Sequence, residues 1–209
     1  GLSNPTTAAA SASQNLTFSA TTAAITGNAA YVSNDNGVSN SYAGYPTNRT
    51  VYFYKDITTI PSSEKAMTLT FDVKSAPASG SGWQVFVAPI SQTVIGTDTQ
   101  VTSPFTYLAP PAIIWPGATL ISFNSNPQVA TTKTTAFIPK SFAGTSFRLI
   151  FVWTNNTAAG SLPPAAIDNI SLTSRMPEEI TSAQSGLWSQ PNTWDGGKVP
   201  THADTVVLD

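Results

Sequence analysis

Groups able to carry acid–base chemistry are few in this chain. It has one histidine, His202, and its acids Asp56, Glu64 and Asp72 stand singly. Glycoside hydrolysis needs two carboxyl groups about 5–10 Å apart across a cleft. Nothing in the spacing marks any two of these acids as such a pair, and an isolated acid on a strand face is ordinarily just solvated. There is no Gly-x-Ser-x-Gly elbow, no His-Glu-x-x-His helix and no phosphate-cradling glycine loop. The residues therefore read as non-catalytic. What they offer instead is contact chemistry. Trp83, Trp115, Tyr42, Tyr45 and Tyr107 present flat apolar faces beside hydrogen-bonding edges, which suits stacking on sugar rings. The competing reading gives such aromatics to the core or to loop anchors. Trp115 and Tyr107 lie among prolines and are expected to be exposed; Trp153 is expected in the core.

The elements that must position these groups read as strands. Residues 16–20 alternate apolar and polar, the period of a strand with one buried face. Residues 30–33 form a short candidate closed by Asn34-Asp35-Asn36-Gly37, a turn-rich run. Residues 51–57 are aromatic and β-branched, and residues 67–73 place Met, Leu, Phe and Val on one face. Further strands are expected at 83–87, 119–123, 134–138, 147–153 and 166–172, with 147–153 the most apolar and central. Prolines 104, 110, 111 and 116 break regular structure between 90 and 130. Short strands at this spacing, separated by Gly/Pro/Asn turns and with no amphipathic helix, predict an all-β antiparallel sandwich.

Composition narrows the function classes. The chain has 209 residues, 41% of them hydrophobic and only 10% charged. That supports a packed core under a surface of Ser, Thr, Asn and Gln. The net charge of −2 without a Lys/Arg cluster excludes nucleic acid and anionic membranes as partners, because neutralising phosphates takes several cations on one face. No segment reaches the roughly 20 apolar residues of a membrane span. Without cysteine there is neither a disulfide framework nor a thiolate metal site.

Four segments occur in order: Ala30 to Gly37, Tyr54-Lys55-Asp56-Ile57, Phe147 to Trp153, and Pro163-Pro164-Ala165-Ala166-Ile167-Asp168-Asn169-Ile170. Together the set resembles the adhesin-type jelly-roll domains, related to MAM and cleaved-adhesin modules, of surface and secreted Bacteroidota proteins. One departure is Ser79-Gly80-Ser81-Gly82, where related domains often carry an acid before the following strand. The tail segments Gly186-Leu187-Trp188-Ser189, Thr193-Trp194-Asp195-Gly196-Gly197, Val199-Pro200 and Asp204-Thr205-Val206-Val207 resemble the opening of a parallel β-helix, its two tryptophans capping the first coil. Such openings follow jelly rolls in large exported proteins, some using type IX secretion.

The resemblance implies a structural calcium on Asp168. The ion takes six to eight hard oxygens, and Asn34, Asp35 and Asn36 are candidates to supply some of them. The alternative is that Asp168 faces solvent by strand alternation and Asn34 to Gly37 forms a plain turn.

The organisation expected is a flexible lead-in at 1–15, a jelly-roll β-sandwich at 16–173, a linker at 174–180 and the start of a second, β-helix-like region at 181–209. The expected function is a non-catalytic, secreted or cell-surface module for adhesion or glycan binding. Its partners would be a glycan or a host or neighbouring surface ligand, together with downstream domains of its own chain, and no membrane insertion is expected. The alternatives are a structural spacer or β-helix cap, and the targeting module of a polysaccharide-degrading enzyme.

Overall fold

The structure, a computed structural model, describes residues 6–8, 15–20, 25, 27, 29–33, 49–75, 82–91, 117–124, 128–155 and 165–209. In chain order the strands are β1 (Thr6–Ala8), β2 (Asn15–Ala20), β3 (Ala29–Ser33), β4 (Arg49–Ile57), β5 (Ala66–Ser75), β6 (Gly82–Pro89), β7 (Thr119–Asn124), β8 (Gln128–Ile138), β9 (Phe147–Asn155), β10 (Ala166–Arg175), β11 (Glu179–Thr181) and β12 (Thr205–Val207). The helical elements among the described residues are single 3-10 turns.

Two antiparallel sheets, ordered β1-β4-β9-β6-β7 and β2-β3-β10-β5-β8, hold the chain up to Arg175. From β3 onward the winding follows a rule: β3 lies beside β10 and β4 beside β9. The first strand of the eight therefore neighbours the last, and the second neighbours the seventh. That is a jelly roll, as the resemblance to adhesin-type domains implied, and a sandwich, as the short alternating strands predicted.

The main core lies between the sheets, and strand alternation decides who enters it. Phe53, Val85, Phe151 and Trp153 of one sheet meet Met67, Leu69, Phe71 and Val73 of the other. Phe53 and Phe151 stack within the first sheet at 4.8 Å and 7°. Phe71 crosses from the second sheet to meet Phe151 edge-on at 5.6 Å and Trp83 at 5.4 Å.

The two outer faces differ. On the second sheet, β5 alternates buried and half-buried residues, and its outward positions are Thr68, Thr70, Asp72 and Lys74, with Asp72 opposite Lys133 of β8. On the first sheet the outward residues Tyr52, Phe86, Ala88, Ile150 and Val152 form a second buried cluster. The sequence reason is that β6 and β9 are apolar at both parities, the pattern of strands covered on two faces. Gln84 lies on this outer face, fully buried, and neither its Oε1 nor its Nε2 has a hydrogen-bond partner among the described residues. An unpaired buried amide costs about 1–3 kcal/mol, whereas an apolar residue of similar shape removes the cost. Gln84→Leu is accordingly expected to raise the unfolding free energy by about 1 kcal/mol, read as a shifted denaturant midpoint at constant slope. A fall of that size would show that the amide is satisfied.

Three boundaries differ from the sequence expectation. Thr6 to Ala8, inside the expected lead-in, pair with β4: a small polar triplet carries no pattern of its own, but β4 offers it a free edge. β8 begins at Gln128, ahead of the 134–138 expected, because Thr-rich residues continue the ladder against β5. Ser174 and Arg175 belong to β10, not to a linker, since β5 pairs with them as far as Ala66.

Candidate functional site

Of the residues singled out in the sequence, Asn34, Asp35, Asn36, Tyr42, Tyr45, Tyr107 and Trp115 lie outside the described residues. Trp83 is corrected here. Its indole is 2% exposed and sits between the sheets against Phe71, so neither ring face can receive a sugar. The inward parity of β6 at positions 83, 85 and 87 decides this. Trp153, opposite Trp83 across the ladder, is in the core as expected.

Asp168 lies on the outer face of the second sheet, opposite Asp72. The ladder slips between Asp168 and Ser171, and Asn169 adopts a positive φ of 51° in that bulge. There the backbone N–H of Asn169 donates to Asp168 Oδ1 at 2.7 Å, and its side-chain amide donates to Asp72 Oδ2 at 2.8 Å. Among the described residues no group of three or more His, Cys, Asp or Glu could hold a metal. The register also matters. Ile167 pairs with Ala30 and Ala166 with Tyr31, which puts Asp168 at the Ala29 end of β3. The described residues around Asp168 therefore do not by themselves make a calcium cage.

The acids considered for catalysis are taken up elsewhere. Asp56 receives a two-point contact from Arg148, Nε to Oδ1 at 2.6 Å and Nη2 to Oδ2 at 3.0 Å, with the guanidinium 4.1 Å over the Tyr54 ring. Ser174 Oγ donates to Glu64 at 2.5 Å.

Chemistry gathers instead beyond β10. Asp204 is the knot of this region. Its carboxylate accepts from Arg175 at 2.7 and 2.6 Å, from the Glu178 N–H at 2.9 Å, and from the Thr201 N–H and Oγ1 at 2.7 and 2.8 Å. Burial alone pushes this carboxyl up. The Arg175 hydrogen bonds, with those of Thr201 and Glu178, outweigh it and hold Asp204 well below the usual carboxylate range. The result ties the end of β10 to the start of β12. His202 rests 6.0 Å from the Phe137 ring on β8, and burial, then the charge of Lys140, push it down against an opposing pull from Asp204.

β11 and β12 pair in parallel, Glu179 to Thr205 and Thr181 to Val207. Parallel neighbours need a long crossover, and residues 182–204 supply it as a loop closed from within. Trp194 is buried and its Nε1 donates to the Trp188 carbonyl at 2.8 Å. Thr193 Oγ1 donates to the Leu187 carbonyl at 2.9 Å. Gly186 passes so close that a Cβ there would lie 2.4 Å from Thr193 Oγ1.

This loop props Trp188 outward. Its indole meets that of Trp194 edge-on at 4.8 Å and 72° and remains 54% exposed. It lines a pocket of about 300 Å³ together with Ser182, Gln184, Ser185, Leu208 and Asp209. A braced aromatic face beside hydroxyl, amide and carboxylate groups is equipped to hold a polyhydroxylated ring: apolar area for the ring face, donors and acceptors for its edge. Sequence reading named the tryptophans of this segment but gave them a capping role. The signal for a site was available in the polar run Ser182 to Ser189 around a tryptophan.

Neither a family model nor a curated protein sequence matches the chain. Solved structures do. A family 11 carbohydrate-binding module from Clostridium thermocellum, in complex with a β-1,3-1,4-mixed-linked tetrasaccharide, is 15% identical over 84% of this chain and 92% of that one, with a TM-score of 0.42. The enzymatically active domain of bacteriophage CBA120 tailspike protein 4 is 10% identical over 83% of this chain, which spans only 20% of that one, with a TM-score of 0.42. The K3 cleaved adhesin domain of the Lys-gingipain of Porphyromonas gingivalis is 15% identical over 77% and 94% of the two chains, with a TM-score of 0.29. Among the described residues no helix is long and apolar enough to cross a membrane.

Proposed function

We propose that the chain is a non-catalytic contact module of a secreted or surface protein, and that it holds glycan at the pocket under Trp188. The observation that carries this reading is the half-exposed indole, braced by a buried one, over a pocket edged with Ser, Gln and Asp. Trp115, Tyr107, Tyr42 and Tyr45 belong to the same proposal as further stacking residues. The mixed-linked glucan tetrasaccharide is a suitable first probe. Titration followed by tryptophan fluorescence should show saturable binding, and Trp188→Ala should weaken it about tenfold or more, the equivalent of 1.4 kcal/mol. A neutral glycan panel with no binder at millimolar concentration removes the reading.

A second reading, spacer or β-helix cap, is favoured by a different observation. Leu187 and Leu208 are 65% and 72% exposed around a two-stranded parallel pair, a kind of sheet normally covered. The finer proposal of a Bacteroidota protein exported by the type IX route and continuing as a β-helix rests on the resemblance, supported by the parallel register. A pure spacer binds no sugar, so the same titration separates the two. Targeting of a polysaccharide-degrading enzyme shares the glycan contact and predicts binding to that enzyme's substrate.

Calcium is proposed with Asp168 as its described ligand. A native-state ligand raises Tm with its concentration, so an unchanged Tm in millimolar calcium and in chelator removes it.

A further inference from the structure

We infer that the Trp188 pocket discriminates against uronic acids; this rests on the glycan reading of that pocket. Size sets the first limit. A volume of about 300 Å³ is at the floor for small-molecule sites, so the pocket contacts only a short part of a glycan at a time.

The inventory of polar groups sets the second limit. Ser182 Oγ is engaged with the backbone of Asp209, accepting its N–H at 2.9 Å and facing its carbonyl at 3.4 Å. Thr193 Oγ1 is spent on Leu187. The Gln184 amide, the Ser185 hydroxyl and the Asp209 carboxylate are left at the rim to meet a ligand. An amide and a hydroxyl both donate and accept, which matches neighbouring sugar hydroxyls; a carboxylate accepts from hydroxyls and has nothing to give an anion.

Charge sets the third limit. Among the described lining residues Asp209 is the one charged group. A sugar carboxylate placed over Trp188 would face Asp209 with no compensating cation among the described lining residues. Two like charges brought this close repel, the more so near a protein surface.

The experiment uses the full chain with a neutral galactose oligomer, the matched galacturonate oligomer and a matched amino-sugar oligomer, followed by tryptophan fluorescence at neutral pH and low salt. The neutral oligomer is expected to bind at least about tenfold more tightly than the uronate. Asp209→Asn should close most of that gap by improving the uronate, and salt should narrow it in the parent protein. Uronate binding as tight as the neutral sugar, or an amino sugar that binds no better than the uronate, overturns the inference even where Trp188→Ala abolishes binding. Failure of all three sugars to bind overturns the glycan reading as well.

Discussion

Asp204→Ala loosens residues 179–209 while leaving the sandwich folded. The wild-type carboxylate is completely covered and accepts five hydrogen bonds from three residues on both sides of β11. Removing one partner of a buried pair costs about 3–5 kcal/mol where the other charge is left uncompensated. Arg175 keeps 25% exposure and has Glu178 3.8 Å away, so its charge stays partly solvated and partly paired and the lower end of that range applies. Amide exchange in β11 and β12 should then accelerate about a hundredfold, with β5, β6 and β9 unchanged. Unaltered exchange in 179–209 would refute the clasp. Acid should act as the mutation does. Against burial, the Arg175 hydrogen bonds hold the folded Asp204 carboxyl below its ordinary pKa, so the clasp contributes fully above the ordinary value and is lost as pH falls through the folded one. His202, pushed below the ordinary histidine value by burial, works in the same direction in a higher window. Below that value the unfolded chain takes up the proton first, and stability declines until the folded group protonates too. Protection of β11 and β12 should therefore fall toward acid, and Asp204→Asn should flatten the more acidic limb.

The largest global effect is expected at Phe151. It is buried, stacks on Phe53 and receives the edge of Phe71 from the opposite sheet, so truncation opens a cavity where the two layers meet. Phe→Ala at such a position costs about 3–5 kcal/mol, and for a chain of this size Tm should drop by roughly 10 °C. Thr135→Ala, exposed on the outer face of β8, should stay within about 0.5 kcal/mol. A Phe151→Ala loss below about 1 kcal/mol would mean the sheets can close over the gap, and the packing described here would be wrong.

Much of the sandwich could be read from side-chain alternation. Residues 67–73 put every second side chain inward because a strand has a period of two, and β5 does so. The same rule lost its power at Phe147 to Trp153: residues apolar at both parities mark burial on two faces but do not say what covers the second one. β1 was illegible because Thr6 to Ala8 pair only by virtue of the edge that β4 presents.

The site shows the limit more sharply. Trp83 and Trp188 are the same residue type amid similar small polar neighbours, yet one is sealed and the other open. Burial depends on which layer a strand joins and which parity points inward, and both are set by distant pairing. Asp204 reads locally as a residue leading into a strand; its main partner, Arg175, lies 29 positions away.

Most strands and their alternation were thus legible in the residues alone, as were a sequence without an acid–base motif and without a Lys/Arg cluster, because these depend on residue type and near neighbours. The tertiary structure alone decided which tryptophan meets solvent, which carboxylate is clasped and where a pocket opens. Those outcomes are set by contacts between segments far apart in the chain, which local periodicity does not encode.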